Sequence, residues 1–119
     1  MSMTLTSHAK GNVIIVDTSG KMTFGEGTSA LRAKVRELAE GGYLRILLNM
    51  AEVTSIDSSG LGELVAAHRT ATTAGGELKL LNLAVRARHL LQITRLSTVF
   101  ETFDDEAVAI ASFPVAKPR

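Results

Sequence analysis

Cysteine is absent from the 119 residues, and with it go disulfide staples, thiolate metal sites and cysteine nucleophiles. That absence fits a reducing compartment. Tryptophan is absent too, and aromatic residues make up only 4% of the chain, so a core has to be assembled from Leu, Ile, Val and Ala. Few rings also means few platforms on which bases could stack, and a net charge of +1 offers no basic field for a phosphate backbone. No nucleic-acid partner is expected. No apolar run approaches the ~20 residues of a membrane span, and the first ten residues are polar, without the basic start and apolar stretch of an export signal. The expectation is a cytoplasmic protein that does not insert into a membrane.

What is present suits one globular domain: 45% of the residues are hydrophobic and 21% charged. Residues 4–9 and 13–17 flank Gly11-Asn12 and read as a tight hairpin. A loop over 18–27 follows. Leu31, Val35 and Leu38 then fall on one helix face, with Arg32, Arg36, Glu37 and Glu40 on the other, until Gly41-Gly42 stops the helix. Residues 43–50 are apolar with little alternation, as in a central strand covered on both faces. A second helix starts near Ser58 and ends by Gly75-Gly76, and a strand over 78–83 follows. Residues 85–96 read as a helix with Val85, Ile93 and Leu96 inward and Arg86, Arg88 and Arg95 outward. A last strand is expected over 98–103, and Asp104-Asp105 would cap a final helix carrying Val108, Ile110 and Ala111. The implied fold class is α/β: a small mixed β-sheet opened by an antiparallel hairpin, then alternating helices and strands, with four to five helices packed on the sheet. Residues 1–113 would form the domain and 114–119 a short basic tail.

The most informative stretch is Asp57-Ser58-Ser59-Gly60-Leu61-Gly62, at the handover from the central strand to the second helix. The first N–H groups of a helix lack internal partners and carry partial positive charge, so a phosphate on a hydroxyl there meets donors and a favourable field. Asp and Ser are also good helix caps, and a cap alone explains their presence. Gly60 and Gly62 add something, since each costs roughly 0.5–1 kcal/mol relative to Ala in a helix. Bare backbone is wanted there, either to leave the turn accessible to another protein's active site or to let the helix pack closely on its own sheet. On spacing alone Ser58 and Ser59 are equally reachable.

Other chemistry finds little support. The Gly-x-Ser-x-Gly elbow of a serine hydrolase is missing, and none of His8, His68 and His89 is evidently placed to deprotonate Ser58, so no enzyme and no catalytic residue are expected. Acidic residues are dispersed and no paired histidine spacing occurs, so no metal site is expected. Gly60-Leu61-Gly62 is half a dinucleotide fingerprint, with the third glycine missing and Glu63 in the way; no cofactor is expected. Arg86, Arg88 and Arg95 read as a solvated face, with docking of an acidic partner as the alternative. Thr23 is a further hydroxyl in the loop, as an ordinary turn residue or a second site.

The hairpin, Gly20 at the end of the second strand, the apolar run 44–50 and above all Ile56-Asp57-Ser58-Ser59-Gly60-Leu61-Gly62 resemble the STAS domains, the fold shared by sulphate transporter tails and bacterial anti-sigma factor antagonists. The motif resembles that of the phosphorylatable antagonist branch. The resemblance implies Ser58 as phosphate acceptor, with Ser59 the second choice, and a partner surface of Asp57, Ser58, Ser59, Gly60, Leu61 and Gly62 with Lys21, Met22 and Thr23. It implies that the unmodified protein binds an anti-sigma factor, itself a serine kinase with a histidine-kinase-like ATP-binding fold, and so frees a sigma factor. Phosphorylation would end that binding and a PP2C-type phosphatase would restore it. The alternative is a non-switching scaffold subunit of a lipid-transport ATPase or a signalling assembly. Two positions depart from the family pattern: Asn49 stands where many members carry Asp, and Lys21-Met22-Thr23 where many have an acidic residue. Both are expected to remove negative charge near the serine turn.

Overall fold

The computed structural model describes residues 3–24 and 29–114. A five-stranded sheet runs in the order β1-β2-β3-β4-β5. Strands β1 (Thr4–Lys10) and β2 (Val13–Met22) form the antiparallel hairpin, with Lys10 opposite Val13 across Gly11-Asn12. From β2 onward the sheet is parallel, through β3 (Arg45–Ile56), β4 (Glu77–Leu81) and β5 (Thr102–Phe103). Parallel neighbours need a crossover. Helices α1 (Ser29–Glu40), α2 (Ser58–Thr73) and α3 (Val85–Ile93) lie in those crossovers, and α4 (Glu106–Ala111) follows β5. The mixed sheet, its hairpin opening and the four helices agree with the pattern of apolar runs. Among the described residues, no helix is long and apolar enough to cross a membrane.

Strand β3 lies at the centre, and its unbroken apolar run has a direct cause. Ile46, Leu48 and Met50 enter the larger core with α1, α2 and α3, whereas Leu47 enters a smaller one with Val13, Ile15, Leu81, Ala109 and Phe113. Both faces are covered, so neither set can be polar. On the smaller side the buried Lys79 of β4 donates to the Ser112 carbonyl at 3.0 Å, pairs with Glu101 at 2.9 Å and lies 4.7 Å from the centre of the Phe113 ring. It ties the end of α4 to the sheet. Helices α1 and α2 end in the same device. Gly42 (φ +86°) and Gly75 (φ +89°) turn the chain left-handed, and Tyr43 and Gly76 donate back to the carbonyls of Leu38 and Ala71 at 2.9 and 2.8 Å.

Several expectations need correction. Strand β2 does not stop at Gly20 but continues to Met22, with Gly20 at φ +100° beside a register shift, so residues 18–22 are strand rather than loop. Residues 25–27 of that expected loop, and 115–119 of the expected tail, lie outside the described residues. Strand β3 runs six residues beyond Met50, to Ile56. Ala51, Glu52 and Thr54 there are exposed and carry no apolar signal; backbone pairing with β2 makes the strand, as in Gly20 opposite Val53 and Met22 opposite Ile56. Strand β4 ends at Leu81 because Asn82 is left-handed (φ +62°).

The last third departs most. Helix α3 stops at Ile93, a 3₁₀ turn covers Leu96–Thr98, and β5 shrinks to two residues. The inward stripe of α3 is Ala87 and Leu91, four apart; Val85 and Ile93 are each 76% exposed. With Ala87 and Leu91 four apart on the buried side, the helix rotation leaves Val85 and Ile93, each two residues off that stripe, outside. In α4 the inward residue is Ala109, and Val108 faces out. Its N-cap is Asp105, which accepts from the Val108 N–H at 3.0 Å.

This orientation of α3 is tested by two truncations on one helix. Leu91→Ala removes a buried side chain and is expected to cost about 2–5 kcal/mol in urea unfolding, whereas Ile93→Ala should change stability by no more than about 0.5 kcal/mol. The reverse order would restore the helix rotation expected from sequence.

Candidate functional site

The serine turn is built on one carboxylate. Asp57 leaves β3 in an extended conformation (φ −121°, ψ −172°) and caps α2, accepting the Gly60 N–H at 2.9 Å through Oδ1. Its Oδ2 accepts the Phe24 N–H at 3.1 Å, from the segment after β2. The Asp57 N–H in turn donates to the Met22 carbonyl at 3.4 Å, and its own carbonyl accepts the first helical bond from Leu61 at 2.9 Å. One residue thus joins the ends of β2 and β3 and the start of α2. The Gly60 N–H, followed by that of Phe24, holds the Asp57 carboxyl below its ordinary range, against an opposing push from desolvation.

The two glycines have different reasons. A Cβ on Gly60 would lie 1.9 Å from the Met22 carbonyl oxygen and 2.8 Å from Met22 Cγ, so only glycine lets α2 start this close to β2. Around a Cβ on Gly62 there is nothing within 4 Å, and that residue is exposed. Packing accounts for the first; the second leaves open surface next to the serines. Ser58, in the first turn, is exposed, while Ser59 is half-buried. Of two hydroxyls equivalent on spacing, the fold presents Ser58 to solvent.

The remaining expected site residues divide into surface and support. Lys21 is exposed and Thr23 half-buried, at the end of β2 beside the turn. Met22 and Leu61 are buried, at 0% and 5% exposure, and carry the turn from beneath. Phe24 was not among the expected site residues, yet it is 83% exposed and its backbone is held by Asp57. Its only signal in the sequence is rarity, since the chain has four Phe and one Tyr.

Asn49 is not near this turn, contrary to expectation. Seven further strand residues separate it from Asp57, which at the usual rise puts it roughly 25 Å away. Asn49 Nδ2 donates to Asp17 Oδ1 at 2.8 Å, and its Oδ1 accepts from Asn82 Nδ2 at 3.1 Å and from the Ala51 N–H at 3.2 Å. An aspartate could not donate to Asp17. The residue serves a polar row across the sheet.

No histidine is bonded to the serine turn among the described residues. His8 Nδ1 lies 3.4 Å from Asp17 on the hairpin, His89 is exposed on α3, and His68 stands edge-on to Phe100 with ring centres 5.1 Å apart. Burial holds the His68 imidazole below its ordinary pKa. The arginines expected to form one solvated face do not act alike: Arg86 and Arg95 are exposed, while Arg88 pairs with Asp104 at 3.0 Å and reaches Thr102.

The family model described as "STAS domain" matches residues 5–109. An anti-sigma-B factor antagonist of Bacillus subtilis is 42% identical over 72 residues, covering 60% of this chain and 64% of the relative. The match spans 58–66% of the length of three such curated relatives. In fold it is similar to an anti-sigma factor antagonist from Mycobacterium paratuberculosis (TM-score 0.81, 18% identity, 94% of each chain). It also resembles the phosphorylated form of the Bacillus cell fate determinant SpoIIAA (TM-score 0.69, 21% identity, 91% and 97% of the two chains).

Two measurements test the turn. Gly60→Ala should destabilise by about 1–3 kcal/mol through overpacking against Met22, whereas Gly62→Ala should stabilise by about 0.5–1 kcal/mol; equal effects would contradict the packing assignment. For Asp57 the folded pKa is depressed, so its stabilisation is present above the unfolded value, near 3.8, and is lost as pH falls through the folded value. Asp57→Asn keeps the acceptor for Gly60 but loses the charge and the second acceptor, used by Phe24. The gap in melting temperature between the two proteins should therefore be widest at neutral pH and narrow at acid pH below 3.8; a gap that does not narrow there would refute the assignment.

Proposed function

The chain belongs to the STAS domain family, and on that premise we propose that it is an anti-sigma factor antagonist switched by phosphorylation at Ser58. The unphosphorylated protein binds an anti-sigma factor that is itself a serine kinase with a histidine-kinase-like ATP-binding fold, and so releases a sigma factor in the cytoplasm. The kinase transfers the γ-phosphoryl group of ATP to Ser58 Oγ, ADP leaves, and the complex dissociates. A PP2C-type phosphatase hydrolyses the phosphoserine and restores binding. The protein is a binding module and a substrate rather than an enzyme.

The single observation that carries this reading is the exposure of Ser58 in the first turn of α2, beside a carboxylate already committed to the cap. A phosphate there adds roughly −1.5 to −2 charges next to Asp57. With exposed Lys21 on the same surface, the docking surface changes from near neutral to carrying roughly −1.5 to −2 charges, and against a close, desolvated fit the resulting like-charge juxtaposition costs several kcal/mol. No refolding is needed, because the cap bonds are made by Asp57 and not by the serine hydroxyl. Ser59, half-buried, is the less accessible choice. The scaffold reading, as a subunit of a lipid-transport ATPase or a signalling assembly, draws on one observation: Gly60 is explained by internal packing without any visiting kinase.

The readings separate on calorimetric titration of the purified kinase with two variants. Ser58→Asp should weaken binding at least about tenfold, and Ser58→Ala should bind as the wild type does. Equal affinity of both variants would overturn the switch.

A further inference from the structure

An interface needs apolar area as well as a reactive group, and the serine turn has little of its own. Ser58, Gly62 and the Asp57 carboxylate are polar or bare; of the apolar residues beside them, Met22 and Leu61 are buried and Ile56 is half-buried against the core. Phe24 differs from both sets. Its exposure of 83% is the largest among the exposed large hydrophobic residues described, while Phe100 and Phe113 are buried at 4% each and Phe103 packs against the smaller core. An aromatic ring left in water, in a chain this poor in aromatics, contributes nothing to the core. Nor is it placed at random. Its N–H donates to Asp57 Oδ2 at 3.1 Å, on the same carboxylate that caps the helix carrying Ser58.

We propose that Phe24 is the apolar anchor through which the anti-sigma factor kinase recognises the unmodified protein, its ring entering an apolar pocket of that partner next to the cleft that receives Ser58. The proposal rests on the kinase reading above. A kinase that delivers a phosphoryl group to Ser58 Oγ must cover the turn, and a standard interface spans about 800 Å² on each partner. A residue whose backbone is bonded to Asp57 falls inside that footprint. Binding energy concentrates in a few buried aromatic or arginine anchors surrounded by near-neutral contacts, and Phe24 is the residue of that kind at this turn. Lys21, exposed on the same stretch, supplies a charge at the rim that orients the encounter more than it tightens it. Asp57 acts here as a positioning residue: its carboxylate holds the Phe24 backbone beside the turn that carries the hydroxyl.

The test uses the full chain and the purified kinase that phosphorylates it. Phe24→Ala should weaken binding on the order of 30-fold or more, the loss typical of an anchor, with the melting temperature unchanged because the ring is solvated. Phe24→Leu should recover most of the affinity. A photo-reactive phenylalanine at position 24, activated in living cells, should crosslink to the same kinase. If Phe24→Ala binds within twofold of wild type while Ser58→Asp loses binding, the anchor is refuted and the switch stands. If Ser58→Asp binds as wild type, the switch falls and the anchor with it. A crosslink only to a second copy of this chain would also overturn the proposal.

Discussion

A single carboxylate organises the serine turn of this molecule. Asp57 accepts from Gly60 on one oxygen and from Phe24 on the other, and its backbone joins β2 to α2. Removing it would separate three events that the fold now couples: where the helix starts, where the chain after β2 turns, and which serine faces outward. The close approach at Gly60 belongs to the same constraint, because a helix capped by Asp57 in this position passes within touching distance of the Met22 carbonyl. Glycine there is the consequence of the cap, and the cap is the consequence of a strand that runs on to Ile56.

That arrangement bears directly on how a phosphate would act in the proposed switch. The N-terminus of α2 offers a field that favours negative charge, but Asp57 already occupies it with a carboxylate whose pKa is depressed by the same donors. A phosphate on Ser58 would therefore share the field with a resident anion rather than fill an empty site. Its charge would be directed at whatever covers the turn, and the fold beneath, anchored by Met22 and Leu61, would be left in place. A module of this size can then change partners without changing shape.

The legibility of the fold in the sequence follows burial. Strand β3, expected over 43–50, begins at Arg45 and was readable to Met50 because both of its faces are buried there; it was illegible at 51–56, where only Val53 and Ile56 reach the core and backbone pairing to β2 defines the rest. The inward stripe Leu31, Val35 and Leu38 of α1 was correct because three large apolar residues leave no other rotation. In α3, small Ala87 shares the inward face with Leu91, and Val85 and Ile93, equally apolar in sequence, point to water. The site shows the same division. Asp57, the two serines and both glycines announced a helix start by residue type alone, yet the separate roles of Gly60 and Gly62 depend on a neighbour 38 residues away in the chain, Met22, which no local pattern names. Asn49 misled for a related reason: its distance from the turn is set by a strand extension that sequence periodicity did not carry.

The most direct test of the central claim is phosphosite mapping by tandem mass spectrometry on the protein purified from its own cells in growth and under stress. The account predicts phosphate on Ser58, rising and falling with condition, and none on half-buried Ser59. A Ser58 unmodified in every condition in which the kinase is present, or phosphate carried on Ser59 instead, would contradict it.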